Sequence, residues 1–151
     1  MPRKKTIQRA RRDKRQGKSP STQAGEFVRE EMEDIRSGKH GARSTRQAIA
    51  IGLSKARRAG VDLPPPRKGT ASASVRRRAE RDLEKGRSGE STPPNPRRSA
   101  ATTRALRREG SEAASRASLA RQARSAAKQR GAASRRRSAR RAARTRARER
   151  R

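Results

Sequence analysis

The sequence predicts a mainly α-helical protein, in which a short helical hairpin is flanked by long basic segments that are disordered or helical only when bound. Leu, Ile, Val and Phe together number 13 of 151 residues, and eight of these 13 lie between residues 27 and 63. The formal net charge is +31, from 45 Lys and Arg against 14 Asp and Glu. A highly charged chain with less than roughly 20% of these apolar residues cannot bury enough apolar surface to offset its ordering entropy throughout. We therefore expect one folded unit around residues 27–63.

Composition divides the chain into four segments. Residues 1–18 form a basic N-terminal arm, which lacks the apolar stretch of a secretory signal. Residues 19–63 form the hairpin. Residues 64–98 form a linker with a short helix over 71–85, and residues 99–151 form a basic tail rich in Ala, Arg and Ser.

The first helix of the hairpin is predicted over residues 20–37. Ser19 is placed to cap its N-terminus, and Pro20 falls at the first helical position, where its missing N–H costs nothing. Gly38 is a suitable stop. The apolar side chains fall on one face of this helix, which Glu31 interrupts. That face consists of Ala24, Phe27, Val28, Met32 and Ile35.

The second helix of the hairpin is predicted over residues 44–59. Ser44 and Gln47 have the spacing of a capping box, and Gly60 ends the segment. Small residues recur at every fourth position, which lets a neighbouring helix approach closely. The first helix is acidic and the second is basic, which favours antiparallel pairing of the two. The predicted hairpin core consists of Phe27, Val28, Met32, Ile35, Ala48, Ile49, Gly52, Leu53 and Ala56.

The remainder of the chain is basic and poor in apolar residues. A short helix is predicted over 71–85, followed by a linker at 86–98. Residues 99–109 and 112–130 have helix propensity but almost no apolar face. Residues 135–151 contain ten arginines in 17 positions, so we expect self-repulsion to keep them disordered until a polyanion binds.

The excess of Lys and Arg predicts a polyanionic partner, with nucleic acid as the first choice. The chain has no Trp or Tyr to stack on bases, so double-stranded DNA is favoured over a specifically read single strand. We predict sequence-nonspecific contacts to phosphates from the arm and the tail. The predicted contact residues are Arg3, Lys4, Lys5, Arg11, Arg12, Arg135, Arg136, Arg137, Arg140, Arg141, Arg144, Arg146 and Arg148.

Two other functions remain open from the sequence. The same charge suits an RNA-associated or ribosome-associated basic protein. Alternatively, the hairpin is an adaptor for a protein partner, which it binds through Ile51 and Glu31, because both lie on the wrong side of their apolar stripes.

No pattern in the sequence is typical of an enzyme or of a cofactor site. There is no Cys, and His40 is the single His, so neither a metal site nor a nucleophile–base pair is predicted. The GKS at 17–19 lacks the earlier glycine of a phosphate-binding loop. A helix-turn-helix over 44–60 is disfavoured because Lys55 and Arg58 occupy positions that should be apolar. We expect a non-enzymatic protein with no cofactor, no metal, no small-molecule substrate and no membrane partner.

Residues 19–69 contain the blocks QAGEFVREE, GKHGARS and QAIAIGLSKARRAG. Through these blocks the chain resembles a group of small, basic bacterial proteins of unknown function. The resemblance implies a cytoplasmic bacterial protein of the nucleoid, loosely described as histone-like or DNA-binding. It implies no catalytic residues.

Overall fold

The computed structural model describes residues 1–89 and 95–150, and 74% of these residues are helical. They contain seven α-helices, one 3-10 helix and no β-strand. The bounds are α1 Lys4–Arg15, α2 Pro20–Arg36, α3 Thr45–Arg58, α4 Ala73–Ser88, α5 Pro96–Arg107, a 3-10 helix Glu112–Ala114, α6 Arg116–Gln129 and α7 Gly131–Glu149. The mainly helical class is confirmed. The prediction of long disordered segments around an isolated hairpin is wrong, because α1, α5, α6 and α7 form ordered helices where those segments were expected.

The chain forms two compact units, Met1–Ala114 and Ser115–Arg151. The first unit contains α1 to α5 and the 3-10 helix, and the second contains α6 and α7.

Both helices of the predicted hairpin are present, and both begin at the expected caps. The Ser19 hydroxyl accepts a hydrogen bond from the Thr22 backbone N–H at 3.4 Å, which defines the start of α2. The Ser44 hydroxyl accepts one from the Gln47 N–H at 3.2 Å, and the Gln47 side-chain oxygen accepts one from the Arg43 N–H at 2.8 Å. These bonds satisfy N–H groups that have no partner within the helix.

The helices α2 and α3 pack against each other at very short distance. A Cβ atom on Gly52 would lie 2.7 Å from the Val28 Cα, so only glycine permits this approach. Ala48 and Ala56, one turn to either side of Gly52, are both fully buried. Of the predicted core residues, Phe27, Met32, Ile35, Ala48, Gly52 and Ala56 are buried, and Val28, Ile49 and Leu53 are half-buried.

Helix α1 packs against the hairpin instead of forming a solvated arm. Thr6, Ala10 and Asp13 are buried, and they fall on one face at helical spacing. Ala10 belongs to a core cluster that the hairpin completes. The buried members of this cluster are Ala10, Ala24, Phe27, Ala56 and Val61, and its half-buried members are Ile7, Leu53, Ala59 and Leu63. The inner face of α1 was missed because two of its three buried residues are polar.

Helix α4 packs on α3 through another glycine contact. A Cβ atom on Gly86 would lie 1.9 Å from the Arg57 carbonyl oxygen. Asp82 is buried and accepts hydrogen bonds from the Ser54 hydroxyl at 2.6 Å and from the Arg58 Nε at 2.7 Å. The helix predicted over 71–85 therefore extends to Ser88. The predicted linker at 86–98 is helical at its two ends, where α4 finishes and α5 begins. Residues 90–94 of this linker lie outside the described part of the chain.

The segment that ends the first unit packs against the loop between α2 and α3. The Gly41 N–H donates to the Leu106 carbonyl at 2.8 Å, and the Ala42 N–H donates to the Gly110 carbonyl at 3.2 Å. The Thr45 hydroxyl donates to the Ala113 carbonyl at 2.7 Å. The beginning of the expected disordered tail is therefore part of the fold, and hydrogen bonds from two main-chain N–H groups and from the Thr45 side chain hold it there.

The second unit consists of two consecutive helices. The Ser115 hydroxyl caps α6 by accepting a hydrogen bond from the Ser118 N–H at 3.1 Å. Gly131, with φ at 69°, lies between α6 and the remainder of α7. Neither helix has a buried residue. The expectation of disorder at 135–151 is wrong for all but the undescribed last residue, since Ala and Arg are strong helix formers and no Pro or Gly interrupts α7 after its first residue.

Candidate nucleic-acid interface

The second unit is the more densely charged of the two, with a net charge of +14 in 37 residues against +17 in the 114 residues of the first unit. From Ser115 onward the sequence has 15 Lys and Arg residues and a single acid, Glu149. All the arginines of α7 are exposed. At 1.5 Å per residue, the 19 residues of α7 span about 28 Å.

One face of α7 is made almost entirely of arginine. At 3.6 residues per turn, six guanidinium-bearing side chains fall within an arc of about 140° around the helix. These residues are Arg136, Arg137, Arg140, Arg141, Arg144 and Arg148, and we call them the α7 arginine face. Arg135 and Arg146, which were also predicted as contacts, lie on the opposite side of α7. The Arg146 Nε donates to the Ala142 carbonyl at 3.3 Å.

The α7 arginine face repels itself. Arginines four positions apart along the helix occur as 136–140, 140–144, 144–148 and 137–141. Each like-charge pair at this spacing costs about 0.2–0.5 kcal/mol, so the four together cost about 1–2 kcal/mol. A row of phosphates along this face would remove that cost.

Several acidic residues of the first unit form ion pairs with cations of the same unit. The carboxylates of α2 point toward α1, α3 and the loop after α2, where they meet cations. Glu26 pairs with the Arg9 Nε at 3.0 Å, and Glu31 pairs with the Lys55 Nζ at 2.6 Å. Because these acids neutralise residues at the packing interfaces, they do not cancel the charge on the outer surface of α1.

Arg3 is one of the predicted nucleic-acid contacts, and its exposed side chain pairs with acids of α2. Its guanidinium pairs with Glu33 at 3.1 Å and with Asp34, while its backbone N–H donates to the Glu30 carboxylate at 3.1 Å. The charge of Asp34 raises the pKa of Arg3. Burial acts to raise the pKa of Asp34, but the hydrogen bond from Lys39 and the charges of Arg3 and Lys39 together lower it. Arg3 therefore stabilises the packing of α1 on α2.

The other predicted contacts in this region form a basic face on α1. Lys4, Lys5, Arg11 and Arg12 are exposed, and they fall with Arg15 within an arc of about 120° opposite the buried side of the helix. None of the five makes an ion pair within residues 1–89 and 95–150. Arg15 was not among the predicted contacts, because residues 1–18 were predicted as an arm and not as a helix. Its spacing of four residues from Arg11 would have placed the two on one face of a helix. We call these five residues the α1 basic face.

Arg57 shows that not every arginine is available to a ligand. Its side chain is buried, and it donates from Nε to the Leu63 carbonyl at 3.1 Å and from a terminal nitrogen to the Pro64 carbonyl at 3.2 Å. Burial lowers the pKa of Arg57, and the charge of Asp82 opposes this shift. Arg57 fixes the chain that leaves α3 and is a structural residue.

The two residues of the expected protein-docking surface, Ile51 and Glu31, differ in exposure. Glu31 is 0% exposed, because Lys55 covers one carboxylate oxygen and the His40 Nε2 lies 3.4 Å from the other. A residue in this position cannot contact a partner, so that expectation is wrong for Glu31. Ile51 is half-buried.

Membranes and metal ions are two further classes of partner to consider. Among the described residues, none of the helices combines the length and the apolarity that crossing a membrane requires. No group of three or more His, Cys, Asp or Glu side chains in the same part of the chain is placed to hold a metal ion.

The fold and the site describe an all-helical basic protein with two outward cationic faces. Residues 11–68 match the model of a family of unknown function, DUF6496. No curated protein and no solved structure matches the chain. The match covers the last five residues of α1, all of α2 and α3 and part of the loop that follows, and it ends before the second unit.

Proposed function

We propose that this protein binds double-stranded DNA without sequence specificity and without catalysing a reaction. The α6–α7 unit is the principal contact. The observation that carries the proposal is the α7 arginine face, six exposed arginines on one side of a helix in a unit with one acid. The resemblance of residues 19–69 to small, basic bacterial proteins of unknown function, loosely described as histone-like, supports the same setting, the cytoplasm of a bacterium.

The physical basis is counterion release. Duplex DNA carries one negative charge per about 1.7 Å of its axis, so a helix of about 28 Å lies beside about 16 phosphates. Each phosphate that an arginine neutralises contributes about 0.9 to the slope of log affinity against log salt, so six contacts give a slope near −5. Arginine presents a planar fork that matches phosphate oxygens, whereas phosphate contacts carry no sequence information.

The test is a titration of the full chain with duplex DNA over a range of salt concentrations. One variant replaces the six residues of the α7 arginine face by Gln, and its matched control replaces the same six by Lys. We expect the Gln variant to bind duplex DNA at least about tenfold more weakly, because it lacks six phosphate contacts, and the Lys variant to keep the salt slope with a smaller loss of affinity. Unrelated duplex sequences should bind equally well.

Duplex RNA in the same titration separates the second candidate function. The α7 arginine face should favour DNA or bind the two equally if phosphates alone are read. Preference for RNA by a large factor would replace the proposal with an RNA-associated or ribosome-associated role. An unchanged affinity in the Gln variant would rule out α7 as the principal contact.

A further inference from the structure

The α1 basic face is a second cationic surface, and it belongs to a different unit from α7. Its five residues are exposed along about 16 Å of a helix whose opposite side is buried against the hairpin. The buried side holds Thr6, Ala10 and Asp13, so the helix cannot rotate to hide its cations.

The acids of the first unit leave this face positive. Asp13 is turned inward and pairs with Lys18 at 3.2 Å, and Glu26 pairs with Arg9 at 3.0 Å at the edge of the α1–α2 interface. The five exposed cations therefore have no carboxylate among the described residues to compete with a phosphate for them. Unlike the α7 arginine face, this surface is held in place by a packed core.

From these observations we infer that the α1 basic face is an independent phosphate-binding surface, so that one chain links two duplex segments of DNA. The inference rests on the proposed function for its ligand class, but it adds a second site and a different activity, the bridging of duplexes. The two faces lie on separate units, and each has its own set of exposed cations. Five contacts correspond to a salt slope of about −4.5 for the α1 basic face alone.

The experiment uses full-length protein, a duplex fixed to beads and a second, fluorescent duplex in solution. The α1 variant carries Gln at the five positions of the α1 basic face. A matched control removes the same number of charges elsewhere on the first unit. The control replaces by Gln the exposed residues Arg67, Arg77, Arg78, Arg81 and Lys85. A charge-retaining variant, with Lys at positions 11, 12 and 15, checks that the substitutions themselves do no harm.

We expect wild-type protein, the matched control and the charge-retaining variant to capture the fluorescent duplex on the beads. The α1 variant should remain on the beads through α7 but capture at least about tenfold less fluorescent duplex, because it lacks five phosphate contacts. Circular dichroism should be unchanged, because the five side chains point away from the core. If wild-type protein coats the beads but captures nothing, or if the α1 variant captures as much as the matched control, bridging through α1 is refuted.

The outcomes also separate this inference from the proposed function. If the variant with Gln on the α7 arginine face binds bead-bound DNA as well as wild type, the proposed role of α7 fails. The α1 basic face is then supported if the α1 variant loses binding to DNA, and it is refuted if the α1 variant binds as well as wild type. If protein with both faces intact does not bind the bead-bound duplex at all, both proposals fail together.

Discussion

Gly52 tests the central packing contact of the fold. A Cβ atom at this position would lie 2.7 Å from the Val28 Cα and 3.0 Å from both the Val28 N and Cγ2. Carbon atoms in contact are normally separated by about 3.5–4.0 Å. Gly52→Ala therefore forces α2 and α3 apart by about 1 Å, because the obstructing atoms belong to a helix backbone that cannot rotate away.

Two opposing effects set the magnitude for Gly52→Ala. Alanine in a helix interior is more favourable than glycine by about 1 kcal/mol. Overpacking a close interface costs about 1–3 kcal/mol, and here the strain reaches Ala48 and Ala56, which are both fully buried. The expected net change is a loss of up to about 2 kcal/mol in the free energy of unfolding.

Gly25 provides a matched control in α2. It is exposed, its φ is not in the left-handed region, and an added Cβ meets nothing within 4 Å. Gly25→Ala should therefore show the propensity effect alone and raise the free energy of unfolding by about 1 kcal/mol. Comparing Gly25→Ala with Gly52→Ala separates the effect of helix packing from the effect of helix propensity, since both substitutions add the same methyl group.

The assay is urea unfolding followed by far-ultraviolet circular dichroism on chains with the single substitutions. The expected order of stability is Gly25→Ala, then wild type, then Gly52→Ala. If Gly52→Ala is as stabilising as Gly25→Ala, the close approach of α2 and α3 is wrong, and the small residues at every fourth position of α3 have another role.

Three further predictions concern the loop, the acid response and the buried ion pair of the first unit. Gly41→Ala should release the segment packed on the hairpin loop and speed amide exchange there, because its Cβ would lie 1.8 Å from a backbone carbonyl oxygen of that segment, whereas Gly110→Ala, with nothing within 4 Å, should not. The folded-state pKa of Asp34 is lowered, so its stabilising contribution is fully present above its unfolded value of about 3.9 and is lost as pH falls through the folded value. The urea midpoint should fall over that acidic range, and Asp34→Asn should flatten the fall. Glu31→Gln should cost about 1–3 kcal/mol in the urea assay, because the partly buried Lys55 loses its charged partner, whereas replacing both residues by Leu should cost much less, and equal losses would contradict this interpretation.

The two hairpin helices were predictable because their signals are local. Ser19 with Pro20 and Ser44 with Gln47 define the helix starts in a way that depends on neighbours in sequence alone. The spacing of small residues around Gly52 likewise indicates a close helix contact, because side chains four positions apart share one face of a helix.

The missed parts of the fold depend on contacts that leave little trace in composition. The inner face of α1 buries Thr6 and Asp13, which no apolar pattern would select. The segment after α5 is held by the backbone groups of Gly41 and Ala42, and main-chain hydrogen bonds have no side-chain signature beyond the glycine itself. The order of α7 has a different cause. Self-repulsion of about 1–2 kcal/mol is outweighed there by the helix propensity of the Ala and Arg residues.

The site was only partly predictable for a related reason. A count of arginines identifies a polycation but does not say which cations the fold uses. The sequence does not distinguish Arg3 and Arg57 from other arginines, yet exposed Arg3 pairs with two carboxylates of α2, and buried Arg57 donates to backbone carbonyls. The structure separates such residues from those of the α1 basic face and the α7 arginine face, which have no such role.

The distribution of acids connects the fold to the proposed function. Ten of the 14 Asp and Glu residues lie within residues 1–89, and many of them are buried or paired at helix interfaces. A chain with 13 large apolar residues relies on these pairs and on glycine contacts to position its helices. The same arrangement withdraws negative charge from the surface. Exposed acids added to the outer side of α1 or to α7 should therefore leave the core intact and weaken binding to DNA, since the packing and the cationic faces use opposite sides of the helices.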